Sequence, residues 1–117
     1  MIGSCATEGK GYSTVTILGL FYWRPGITHE KAMEAMAKRA QYELPEGATT
    51  VFEYWAAGAG PDIPAVVGVY EMADFGPMLE TELVWGEYFQ MKMLPAVSAD
   101  DGIKMGADIM QHIAAMA

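Results

Sequence analysis

The chain alternates between short stretches that are apolar on both strand faces and longer stretches with helical spacing. Residues 14–22, TVTILGLFY, carry Val15, Ile17, Gly19 and Phe21 on one side and Thr16, Leu18, Leu20 and Tyr22 on the other. A strand that is apolar on both sides is expected at the centre of a sheet. Arg24-Pro25-Gly26 stops it, because Pro withdraws a ladder donor and Gly permits the turn. Thr28 then reads as an N-cap, with Glu30 in the first turn, where the helix dipole favours an anion. The spacing predicts a helix to about Tyr42. Met33, Met36, Ala37 and Ala40 form its core face, and Glu34, Lys38 and Arg39 its solvent face, with Glu34 and Lys38 as an i,i+4 pair.

Residues 49–57 and 65–72 read as the arms of a β-hairpin joined through Gly58-Ala59-Gly60-Pro61-Asp62. In the first arm Phe52 and Tyr54 oppose Val51 and Trp55. Asp74 is placed to cap a second helix that tolerates Pro77 in its first turn, buries Met78, Leu79 and Leu83, and ends at Gly86. Residues 87–97 alternate as a fourth strand. Asp100-Asp101 then open a C-terminal helix to Met116, with Ile103, Ala107, Met110 and Ile113 at helical spacing.

The order β-α-β-β-α-β plus a helix predicts an α+β chain with the ferredoxin-like, split βαβ architecture: an antiparallel sheet with helices on one face. That leaves the other face of the sheet apolar and uncovered, which predicts a partner surface. Face-to-face packing of two copies as a twofold homodimer covers it. The alternative is that the C-terminal helix folds over this face and keeps the chain monomeric.

Composition sharpens this picture. The 117 residues are 52% hydrophobic and form one domain, residues 14–117, preceded by a Gly- and Ser-rich tail at 1–13 that is expected to be flexible. No apolar run is long enough to span a bilayer. A net charge of −8 disfavours nucleic acid as a partner. One cysteine, Cys5, cannot close a disulfide within the chain and fits a reducing, cytoplasmic compartment. Ten methionines suit an adaptable apolar interior or contact surface.

Candidate chemistry rests on few residues. Glu53 and Glu71 each interrupt an apolar strand, and a hairpin centred near Asp62 would set them on one face, almost opposite. Facing carboxylates would raise at least one pKa and form a general acid/base pair, unless Lys92 or Arg24 neutralises them or both lie exposed. His29 could act as a base at a pocket mouth or be an exposed first-turn histidine. Arg24 is either an anion clamp or a brace for its turn. Tyr22, Trp23, Tyr54, Trp55, Tyr70 and Trp85 could line an apolar pocket with hydroxyl handles, or be simply core. Gly19 and Gly68 leave room for a ligand or a close approach. Cys5 lacks a base, Gly58-Ala59-Gly60 lacks the GK[ST] of a phosphate loop, and His29 and His112 make no metal spacing. No metal or cofactor is expected.

With its two-sided sheet, the element order resembles the dimeric α/β-barrel superfamily. Trp23-Arg24-Pro25-Gly26 after the first strand and Leu94-Pro95-Ala96-Val97 closing the fourth resemble a small family of uncharacterised domains within it. The superfamily includes cofactor-independent monooxygenases, haem-degrading enzymes, lactone isomerases, polyketide cyclases and proteins with no known activity. The resemblance implies a homodimer that binds a small apolar or aromatic ligand. It allows cofactor-independent proton transfer of the isomerase or cyclase type, through Glu53 and Glu71 or His29 with Tyr22, Tyr54 or Tyr70. The alternative is a non-catalytic ligand-sequestering or assembly module. The chain contains no Asn, so the Asn-Trp-His set of the haem-degrading relatives is missing.

Overall fold

The computed structural model describes residues 14–57 and 60–116. The expected tail at 1–13, Cys5, Gly58 and Ala59 lie outside the described residues. Strand β1 (Val15–Trp23) leads through Pro25 and Gly26 into helix α1 (His29–Gln41). The hairpin β2 (Ala48–Trp55) and β3 (Val66–Met72) follows, then α2 (Gly76–Trp85), β4 (Phe89–Ala96) and α3 (Ala99–Met116). The sheet is antiparallel, in the order β2-β3-β1-β4. The result is a small α+β fold compatible with the ferredoxin-like pattern.

Strand β1 lies between β3 and β4, as its two-sided apolar pattern requires. Its Ile17 and Phe21 are buried beneath the helices with Val66, Tyr70, Met72 and Phe89. Strands β1, β2 and β3 each start one residue from expectation, and the starts of β4 and α3 differ for a local reason. Strand β4 begins at Phe89 because Glu87 and Tyr88 still belong to the turn after α2, closed by Tyr88 N–H donating to the Trp85 carbonyl. Helix α3 begins at Ala99 because Ser98, not Asp100, caps it: Ser98 Oγ accepts from Asp101 N at 3.1 Å. Thr28 caps α1 as expected, accepting from Lys31 N; the N-cap of α2 is Phe75 rather than Asp74, which lies one residue before the cap with its Oδ1 accepting from Gly76 N.

The helices turn differently from the apolar pattern. In α1 the buried residue is Ala35, while Met33 and Met36 are about half exposed, and Lys38 and Arg39 are part-buried rather than solvated. Ala35 is the residue that α1 turns to the core, and the Lys38 and Arg39 stems lie part-buried beside it. Glu34 consequently pairs with Lys31 and the Tyr88 hydroxyl instead of Lys38. In α2 Pro77 and Trp85 are the buried residues, with Leu79 and Leu83 exposed, because the indole fills the space that the leucines were expected to occupy.

The face of the sheet away from α1 and α2 remains open. Tyr54 is 70% exposed there, and Leu94 and Phe52 are also exposed. Helix α3 does not cover this face; none of its residues is buried. Among the described residues no helix is long and apolar enough to cross a membrane.

Candidate functional site

Strand β2 carries a bulge between Thr50 and Phe52, and that extra residue decides where its carboxylate points. Before the bulge Thr49 pairs with Glu71; after it Glu53 pairs with Gly68 and Trp55 with Val66. Glu53 therefore lies under the helices and Glu71 on the open face, exposed. The expected facing pair does not form. The sequence concealed the bulge, which moves the register by one residue and redirects the side chains after it.

Glu53 meets four donors instead of a second acid. Arg39 Nε donates to Oε2 at 2.9 Å and Trp55 Nε1 donates to the same oxygen at 2.8 Å. Tyr70 Oη donates to Oε1 at 2.8 Å, with Arg39 Nη2 at 3.4 Å. A carboxylate offers about four lone-pair sites, and here all are taken. Burial pushes the Glu53 carboxyl up, but the hydrogen bonds from Arg39, Trp55 and Tyr70 and the guanidinium charge outweigh it and hold the acid below its ordinary value. Burial, reinforced by the Glu53 charge, raises the Tyr70 phenol well above its ordinary value. At neutral pH the carboxylate is ionised and both hydroxyl and indole are committed donors. Such a group is a weak base and no acid.

The network forms one wall of a cleft between the sheet and the helices, with a cavity volume of about 50 Å³ that opens to solvent. Phe21, Val66, Met72 and Phe89 form the floor, and Tyr42, Thr81 and Trp85 the helical side. The remaining polar groups are satisfied internally. Thr81 Oγ1 donates to the Pro77 carbonyl at 2.8 Å, and Tyr42 Oη to Glu80 at 2.6 Å. Burial, then the bond to Glu80, pushes the Tyr42 phenol up to about 12. Arg39 Nη1 also donates to the Tyr42 carbonyl at 3.4 Å, so the cleft presents apolar walls and one neutralised ion pair.

Of the residues singled out by sequence, Glu53, Trp55, Tyr70 and Trp85 meet here. Trp23 packs beside them, stacked on Phe89 at 4.5 Å and edge-on to Trp55. Tyr22 and Tyr54 point to the open face, where Lys92 lies 5.5 Å above the Tyr22 ring, so neither lines the cleft. His29 is exposed at the first position of α1. Arg24 Nε donates to the Gly86 carbonyl, so the guanidinium braces the end of α2. Sequence reasoning missed Arg39, Tyr42 and Thr81. The signal for Arg39 was present: a carboxylate within an apolar strand requires a cation, and the neighbouring helix supplies one in its last turn. Among the described residues no group of three or more His, Cys, Asp or Glu side chains is arranged to hold a metal ion.

Compared with family models, curated proteins and solved structures, the chain matches none.

Proposed function

We propose that the protein binds a small, neutral, largely aromatic molecule in the cleft between sheet and helices, and that it works as a homodimer of the α/β-barrel kind. The observation that carries the binding reading is the Glu53 network. Four donors converge on one carboxylate and leave an apolar space beside an acid that needs no further partner. Ligand sites have this composition, an apolar enclosure with a few fixed polar groups.

The same network disfavours the proton-transfer alternative. A base needs a free lone pair and a pKa near the working pH, and Glu53 has neither. Ligand sequestration is therefore preferred to isomerase or cyclase chemistry. The dimer rests on the open sheet face, where Leu18, Leu20, Val67 and Val69 join Phe52 and Tyr54 in an uncovered apolar layer. Stacking two such faces closes a barrel, with the ligand cleft on the outer, helical side of each copy.

The test is titration of the protein with 2-naphthamide, followed through the emission of Trp55 and Trp85. Saturable quenching is expected, together with an upward shift of the unfolding midpoint, since a ligand of the folded state stabilises it by mass action. Thr81→Trp, which fills the mouth of the cleft, should abolish both while leaving the far-ultraviolet spectrum unchanged. Binding that survives Thr81→Trp sinks the reading.

A further inference from the structure

Helix α3 presents a conflict that the other described residues do not resolve. It spans 18 residues, and none of them is buried. Ile103, Met105, Ile109, Met110, Ile113 and Met116 are each at least half exposed. At about 100° per residue these six fall on one broad stripe, with Asp100, Asp101, Lys104 and Asp108 on the opposite side. Most helical stability in proteins comes from packing an amphipathic face, and Gly102 and Gly106 each weaken α3 by about 1 kcal/mol relative to Ala. A stable α3 needs a surface against its stripe.

Among the described residues, the chain's own body does not provide it. Only Val97 and Ser98 separate α3 from β4, and Ser98 caps the helix through both its hydroxyl and its carbonyl. Val97 lies against Gly102, where an added Cβ would come within 3.3 Å of Val97 Cγ2, so the chain packs closely at the start of α3. An acidic polar side with one lysine also suits neither an anionic lipid surface nor a nucleic acid.

We infer that α3 is an exchanged clasp, its apolar stripe seated on a second copy of this chain, each copy lending its helix to the other. The inference rests on the dimeric reading and adds the element that fastens it. Area supports it: the six side chains offer roughly 700 Å², close to the ~800 Å² per partner of a stable interface. With the sheet faces stacked, the partner still exposes apolar surface to receive them at Leu79 and Leu83 of α2.

The test compares three full-length proteins by sedimentation velocity over a concentration series, with amide hydrogen exchange of α3 read in parallel. Wild type should dimerise with protected α3 amides. The double variant Ile103→Asp, Met110→Asp alters two well-exposed positions, so it should fold normally, dimerise about a hundredfold more weakly, and lose that protection. Leu20→Lys places a charge on the open face and should also split the dimer. If Leu20→Lys dissociates the protein while the double variant dimerises like wild type, the clasp is overturned and the dimer stands. A wild type that is monomeric at every concentration overturns both. Protection of α3 that depends on added phosphatidylcholine vesicles, without dimers, makes the occupant a lipid surface and overturns the clasp.

Discussion

Gly68 and Tyr70 lie two residues apart on one face of β3, and the Tyr70 ring folds back over the Gly68 backbone to carry its hydroxyl to Glu53. A Cβ built on Gly68 would lie 2.5 Å from Tyr70 Cζ, closer than any real contact. Glycine at this position is what lets a strand tyrosine hydrogen-bond to the strand beside it. Gly68→Ala should therefore displace the ring and cost about 2 kcal/mol of stability. In a Tyr70→Ala background the same substitution should cost much less. Chemical denaturation of the two single variants and the double variant completes the cycle, and simple additivity would contradict the packing described.

The Glu53 network makes a prediction about acid. Its pKa in the folded protein is depressed, so the unfolded chain binds the proton first as pH falls. The stabilisation is fully present above the ordinary glutamate value of about 4.3 and is lost as pH falls through the lower folded value. Glu53→Gln should cost about 2 kcal/mol at pH 7, the loss of charged hydrogen bonds. It should also flatten the acid limb of stability. Urea midpoints at pH 7, 5, 4 and 3 for both proteins measure this, with the gap between them closing toward pH 3.

How much of this could be read from the residues differs by level. The strands were legible because β-branched and aromatic runs are bounded by Arg24-Pro25-Gly26, Pro45 and Gly86, each with a local steric consequence. The faces of the helices were not, because Met and Ala lie on several sides of α1 and only tertiary contact selects Ala35. The site was half legible. Glu53, Trp55 and Tyr70 stand out as polar-capable groups on buried strands, but their convergence depends on the bulge between Thr50 and Phe52, which changes register without a glycine or proline to mark it. Arg39 was hidden by the habit of assigning every helical cation to solvent.

Arg24 separates a structural role from a binding one. Its Nε donates to the carbonyl of Gly86, the residue that ends α2, and its own N–H donates to the Tyr88 carbonyl at 2.9 Å. The contact is exposed, so Arg24→Ala should lower stability by no more than about 1 kcal/mol. Affinity for 2-naphthamide should not change, because Arg24 does not line the cleft. Parallel thermal melts and titrations check both, and a tenfold loss of affinity would restore Arg24 as a ligand clamp.

The charge balance of the cleft predicts which ligands it refuses. Arg39 and Glu53 neutralise one another there, and the guanidinium spends its Nε and Nη2 on the carboxylate. An anionic ligand would lose its hydration without meeting a free cation and would approach an existing negative charge. A neutral ligand meets neither penalty. 2-Naphthoate should therefore bind at least about tenfold more weakly than 2-naphthamide at pH 7, a difference of ~1.4 kcal/mol. Glu53→Gln removes the repelling charge and frees the guanidinium, so it should narrow or reverse that preference. Titrating both ligands against both proteins by tryptophan emission gives four affinities. Equal selectivity in the two proteins would show that the ligand does not sit beside Glu53.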